Sequence, residues 1–566
     1  MIKLFINNVK TRLSQYGPFR RLDAFCSSGM YPVEVLGTEP GFLPLLTAIF
    51  SENRYNQVLA VLPTQKEAED FASDIQLFLG DCAHHFPSWQ TVPYSDLSAA
   101  SWIHAKRSRV LSLLLGGKRI FTVAPLAAFL SPLPEVEKTR IRLFPINSGK
   151  KLDLESLVKM LSEYGYDRVP RVTLPGEFAV RGEVLDLFLP GESRPIRLLL
   201  DFETVENIRY FDPITQRSQD FLDSTSVPPL SECIMLPGEE EKTMHAMREK
   251  KIPEKAAAEA FERMKQDPYS SGLEYTIPLT YTHPASILDY MSQDSAVFFI
   301  DYERLHQGAE MMEREYKTCF ARIRGSNKPV APPETALLQF TQLESRVSRK
   351  ILFPMHKSEK SGQNRVVFAC DPPHSYFGNI VYFTEEMGNL TGLGYSIYIF
   401  ADYEAQAERI RHLVQDLAVS VIPAGITRGF TIPELKLMLI HENEIFRRKK
   451  HVARTLRKIE SEKIDSFVDL EEGDFIVHFQ HGIGCYRGLH RIKAAGNERD
   501  YITLEYADKE IIYLPTEQVN LVERYITPGI RSPRLDKIGG RSWAARKAKV
   551  KKAVEDIAAQ LLDLYS

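Results

Sequence analysis

The chain has 566 residues, 44% of them hydrophobic and 26% charged. That is too apolar for a disordered polymer, and at roughly 150 residues per domain it is long enough for about four cored domains. A net charge of −3 gives no global bias toward nucleic acid, although local basic patches remain compatible with it. No run reaches the ~18 uncharged apolar residues of a membrane-spanning helix. The six cysteines, Cys26, Cys82, Cys233, Cys319, Cys370 and Cys485, form no CxxC pair; this argues against a disulfide framework or zinc site and leads us to expect a reducing, cytoplasmic setting. The N-terminal "MIKLFINNVKTRLSQYG" lacks the long apolar core of a signal peptide.

Residues 33–50, "VEVLGTEPGFLPLLTAIF", read as a strand, a glycine turn and a Leu-rich helix, the layout of a phosphate-binding loop. Strand 57–63, helix 64–80 and strand 117–125 continue an alternation that implies a parallel sheet. Segments 176–191 and 194–213 alternate apolar and polar residues between Gly and Pro, as antiparallel strands do. Helical and extended patterns return over 240–362 and include "SAVFFIDYER" (295–304), and a further α/β unit runs from "RVVFACD" (365–371) to "LKLMLIHENEIF" (435–446). A densely charged stretch, 447–465, reads as a linker. Residues 471–525 then give five short strands with glycine turns, the pattern of a small barrel. In the final segment Trp543, Val550, Val554, Ile557, Leu561 and Leu564 share one helical face.

A working phosphate loop needs stacked backbone N–H groups, a lysine for the phosphates and a Ser/Thr for magnesium. Gly37 and Gly41 can make the turn, but Gly41 is followed by Phe42-Leu43-Pro44, and Pro44 removes a donor. The Asp-Glu that would end a second ATPase strand is split by Tyr302 into Asp301 and Glu303. These departures predict a degenerate loop and no ATP hydrolysis by this chain.

In the barrel, His478, His481, Cys485 and His490 invite a metal reading, but strand alternation separates His478 from His481, so no metal site is expected there. Gly482 and Gly484 are expected to shape the turn. Residues 531–552 carry nine Lys/Arg against one Asp, with Ser542 as helix N-cap; a solvated helix face competes with nucleic-acid contact.

The segments "FPSWQTVPYSDLSAASWIHAKRSRVLSLLL", "PGEFAVRGEVLDLF", "ENIRYFDPITQRS" and "GDFIVHFQHGIGCYRGL…DYITLEY…IYLPTEQVNLVERY" together resemble the N-terminal half of the bacterial transcription-repair coupling factors. The resemblance implies a multidomain α/β and α+β chain. It would comprise a degenerate RecA-like, UvrB-like domain 1a (1–140), a UvrA-binding domain 2 (141–225), domain 1b (226–362) and an α/β domain (363–446). A charged linker (447–466), a CarD-like, SH3/Tudor-like barrel that binds RNA polymerase (467–530) and a relay helix (531–566) would follow. The family's ATP- and magnesium-dependent DNA translocase lies beyond the relay helix, so the resemblance implies an adaptor with neither cofactor, whose DNA contacts belong mainly to that motor. The aromatic hairpin with which UvrB inspects DNA has no room in residues 86–102.

By motif position the resemblance implies UvrA contacts at Arg181 and Arg197, with Phe202 a third whose register is open. A merely solvated Arg181 is the competing reading. It also points to an exposed strand, "LHRIKAAG" (489–496), pairing with the polymerase β subunit through Leu489, Arg491, Ile492 and Lys493. Alternation fixes parity and not the buried face, so Ile492 as a core residue remains the alternative. Two other functions compete with the adaptor: a stand-alone CarD-like transcription regulator and an ATP-dependent helicase of UvrB type.

Overall fold

A computed structural model describes residues 2–446 except 96, 193, 237, 268, 271, 324–328 and 356–363, and beyond them 461–463, 473, 475–478, 482–494, 497–515, 522–525 and 535. The chain divides into two compact units, Met1–Pro268 with Gly272–Lys450, and Tyr269–Ser271 with His451–Ser566.

The first unit is built on a seven-stranded, all-parallel sheet in the order Arg365–Val367, Val33–Leu36, Lys350–Phe353, Ala296–Ile300, Gln57–Leu62, Ile120–Pro125, Ala83–His85. Its central strands are continuous apolar runs because both faces are covered. The helix Leu43–Ser51 is buried at every position, which is why its sequence is apolar all round. The strand Arg365–Val367 was expected to open the α/β domain at residue 363, but it lies at the edge of this sheet, beside Val33–Leu36. Parallel pairing is non-local, and a three-residue strand carries no mark of its partner.

Besides an antiparallel pair of Phe144–Asn147 with Ser224–Val227, two larger sheets belong to this unit. One has six strands in the order Ser218–Leu222, Thr204–Phe211, Ile196–Asp201, Val184–Leu187, Glu177–Arg181, Asp167–Arg168, and is antiparallel except for the last pair. One face packs on the helix Leu154–Glu163 through Leu157 and Leu161, against Phe178, Leu185, Leu198 and Ile208. The other sheet has four strands, ordered Val419–Pro423, Ser396–Ala401, Leu437–His441, Phe430–Ile432. Its Tyr398, Phe400, Phe430 and Leu439 share one core with Phe5, Phe42 and Val35, so the segments 1–140 and 363–446 are not independently cored.

The second unit contains a six-stranded antiparallel sheet, in the order Ser461–Lys463, Val522–Tyr525, Phe475–His478, Gly482–Ala494, Asn497–Glu505, Ile511–Pro515. Ile476, Tyr486, Ile502, Leu504, Tyr506 and Leu514 form its core. Gly484 lies within a strand and not in the turn: a Cβ there would stand 3.0 Å from the Tyr506 ring, so close packing requires the glycine. Of the linker expected over 447–466, Ser461–Lys463 instead forms an edge strand of this sheet, paired with Val522–Tyr525; residues 447–460, 464–466 and the final helix fall outside the described residues, as does His481.

Candidate functional site

The phosphate-loop position is filled by the chain itself. Gly37 has φ +67°, and a Cβ on it would overlap the Phe368 carbonyl oxygen. A Cβ on Gly41 would lie 2.5 Å from the carbonyl oxygens of both Arg428 and Gly429. Phe42, which stands where a lysine follows the second glycine of a working loop, is fully buried, its ring 5.8 Å from that of Phe368 and 5.0 Å from that of Phe430. The packed segment is pinned by the Thr427 N–H, which donates to Asp74 Oδ1 at 2.9 Å, and by paired backbone bonds between Asp371 and Thr431. Carbonyl oxygens therefore crowd the second glycine, and the Phe42 and Leu43 N–H groups, which a phosphate would need as donors, already bond the Glu39 carbonyl at 2.9 and 3.2 Å. Glu39, in the turn itself, has its pKa raised first by burial and then by nearby Asp371, with Arg428 opposing; such a carboxyl pair is a poor setting for an anion. At the second ATPase element, Asp301 (φ +55°) is engaged by Arg304 at 2.9 Å, and Arg304 also binds Glu67 at 2.8 Å.

The six-stranded sheet of the first unit gathers the expected arginines. Residues of opposite parity to the core positions line its other face. Asp186 lies across from Arg197, and Arg197 across from Arg209. Asp186 is buried. It accepts Arg197 Nε at 2.6 Å on Oδ1 and Arg197 Nη2 at 2.9 Å on Oδ2, while Arg181 Nη2 stands 3.8 Å from Oδ2. The carboxylate raises the pKa of Arg197 through this hydrogen bonding, with burial opposing. Arg197 also donates to the Gln216 carbonyl at 3.1 Å and stacks on Phe211, Cζ 4.6 Å from the ring centroid. Arg181 remains 54% exposed.

Phe202 lies in the turn after Ile196–Asp201, at φ +51° and 86% exposed. The pairing of Val184 with Leu199 brings this turn and the Arg181–Val184 turn to the same end of the sheet. The structure thus brings Arg181 and Arg197 together on one carboxylate and sets Phe202 at the neighbouring tip. It adds three residues that sequence reasoning missed: Asp186, Arg209, and Phe221, a 65% exposed ring with the Arg209 guanidinium 4.0 Å from its centroid. The alternation places Asp186, between Leu185 and Leu187, at the parity opposite to the core positions, but its partners, like the stacking of Arg209 on Phe221, follow only from the strand register.

In the second unit, Phe475–His478 pairs with Gly482–Ala494 only over 482–485, whereas Asn497–Glu505 follows the strand to residue 494. Beyond Tyr486 that strand has no neighbour on its other edge among the described residues. Leu489, Arg491, Ile492 and Lys493 lie on this stretch, across from Ile502, Asp500, Arg499 and Glu498; their side chains fall outside the described residues. The register sets Ile492 at the parity opposite to that of Ile502 and Leu504.

By fold, then, the chain has a parallel-sheet α/β core, whose turn after Val33–Leu36 is packed shut, and carries two modules built on mainly antiparallel sheets. Both modules match known domain families: residues 144–232 match the UvrB interaction domain and residues 470–526 the CarD-like/TRCF RID domain. The chain is similar, over nearly its whole length, to proteins named transcription-repair-coupling factor. It is 26% identical to that of Borreliella burgdorferi over 92% of this chain and 46% of the relative. The Bacillus subtilis protein is 25% identical over 99% of this chain and 51% of its own length. For a Staphylococcus epidermidis protein the values are 26%, 98% and 50%. The chain spans about half the length of these curated relatives, as an N-terminal half would.

Proposed function

We propose that this chain is the adaptor portion of a transcription-repair coupling factor: it binds stalled RNA polymerase through the edge strand of the second unit and recruits UvrA through the six-stranded sheet of the first. ATP and magnesium serve a motor outside this sequence, and the DNA contacts are mainly that motor's. The observation that carries the reading is the Arg181–Asp186–Arg197 cluster, in which the Arg181 side chain stays exposed beside a buried carboxylate, on a sheet that matches the UvrB interaction domain. Guanidinium forks beside an exposed aromatic suit an acidic protein surface, and such groups dominate binding energy when desolvated. The strand 487–494, paired on one edge only among the described residues, supports docking of the polymerase β subunit by strand addition, with main-chain bonds supplying affinity. The parity of Ile492 favours its use as an anchor over a place in the core. The filled phosphate loop weighs against the UvrB-type helicase, and a UvrB interaction domain would be idle in a stand-alone CarD-like regulator.

The test is direct binding of purified UvrA to the 566-residue chain. Saturable binding that Arg181→Glu abolishes supports the adaptor. Undetectable UvrA binding by the folded chain rejects it.

A further inference from the structure

The four-stranded α/β sheet carries a cluster that the docking reading does not use. Ser396–Ala401 and Leu437–His441 are neighbouring parallel strands, with Phe400 across from His441. Parallel strands deliver their carboxyl ends to one side of a sheet, where open α/β folds bind ligands. There Asp402 follows the first strand, His441 ends the second, and Glu442 begins the short helix after it.

We infer that Asp402, His441 and Glu442 form a binding site for a divalent transition-metal ion of the zinc class. One donor atom from each lies within 4.8 Å of the other two, and His441 Nε2 is 3.2 Å from Asp402 Oδ1. Tetrahedral zinc, with bonds of about 2.0–2.1 Å, sets donors roughly 3.3 Å apart, so one pair already has the spacing and a small side-chain adjustment closes the third. The mixed set of one imidazole nitrogen and two carboxylates suits zinc-class ions, whereas calcium and magnesium take all-oxygen shells. His441 and Glu442 are buried and Asp402 is exposed, which gives two fixed donors, a route of entry and a fourth position open to water.

The surroundings hold the donors in place. Glu444 accepts the His441 N–H at 2.8 Å and the Gly429 N–H at 2.8 Å, fixing the strand end that carries the imidazole. Gly425 lies so close to Asp402 that a Cβ would be 2.6 Å from Oδ1, and its absence leaves the carboxylate room to turn.

The test is a titration of the whole 566-residue chain with Co²⁺, read by visible d–d absorption, followed by displacement with Zn²⁺. The expected result is one ion per chain, with affinity at least tenfold weaker in Asp402→Ala and the imidazole-dependent spectrum lost in His441→Gln. Asp402 is exposed, so its variant carries the test alone if His441→Gln does not fold, as judged by circular dichroism. Absence of stoichiometric Co²⁺ or Zn²⁺ binding overturns the inference, and so does binding of unchanged affinity in Asp402→Ala.

Discussion

Arg197 grips Asp186 with two prongs, Nε at 2.6 Å and Nη2 at 2.9 Å, across neighbouring strands of the six-stranded sheet. Arg181 reaches the same carboxylate only at 3.8 Å. The two expected arginines therefore have unequal tasks. Arg197 neutralises a buried charge and braces the sheet, while Arg181 keeps most of its guanidinium available to a partner.

That asymmetry separates the two alanine variants. Arg197→Ala leaves Asp186 buried without its main counter-charge and should cost on the order of 3 kcal/mol of stability in the 144–232 domain. Arg197→Lys should recover little, because an ammonium cannot make the fork. Arg181→Ala should change stability by only about 0.5 kcal/mol, yet weaken UvrA binding by about 2 kcal/mol. Urea melts and UvrA titrations on the same samples check both halves. Equal effects of the two variants on stability would contradict the assignment.

Restoring the missing chemistry of the phosphate loop should not restore nucleotide binding. In Phe42→Lys/Leu43→Thr the consensus side chains return, but the Arg428 and Gly429 carbonyls still press on Gly41. The lysine would also replace a ring buried between Phe368 and Phe430, at a cost of about 3 kcal/mol or more. Calorimetry with Mg-ATP should register no binding by the wild type or the variant, together with a lowered melting temperature in the variant. ATP binding by either would show that the loop opens.

Glu274 makes stability depend on pH near neutrality. Burial pushes its pKa from 4.5 to about 7, although its carboxylate accepts the Thr91 hydroxyl at 2.9 Å. The folded state therefore holds this proton more tightly than the unfolded one. The contribution is intact below pH 4.5 and lost as pH rises toward 7, on the order of 3 kcal/mol in all. Glu274→Gln mimics the protonated acid, so its urea midpoint should gain on the wild type between pH 5 and pH 8. A gap between the two that does not change with pH would contradict this.

Local patterns made the elements legible, and long-range partners were what they could not supply. The apolar runs around Leu59, Val123 and Phe298 announce buried parallel strands, and the alternation around Leu198 an antiparallel one. That Arg428 would close on Gly41, or that Val366 would pair with Val35, depends on segments hundreds of residues apart. Arg181 and Arg197 were found by motif position. The buried Asp186 that joins them is visible only once the register is known. The pairing of His441 with Asp402 was hidden for the same reason: each ends a strand whose neighbour is set by the sheet order.

The most direct test of the adaptor reading is a paired measurement on one set of preparations: affinity for UvrA and affinity for the polymerase β subunit, in the wild type, Arg181→Ala and Ile492→Arg. Ile492→Arg puts a charge where the edge strand meets its partner and should abolish polymerase binding while UvrA affinity stays within about twofold. Arg181→Ala should do the reverse, with UvrA affinity falling about 30-fold. Circular dichroism should be unchanged in both. Polymerase binding retained by folded Ile492→Arg, or both affinities falling together in either variant, would contradict two separate docking surfaces.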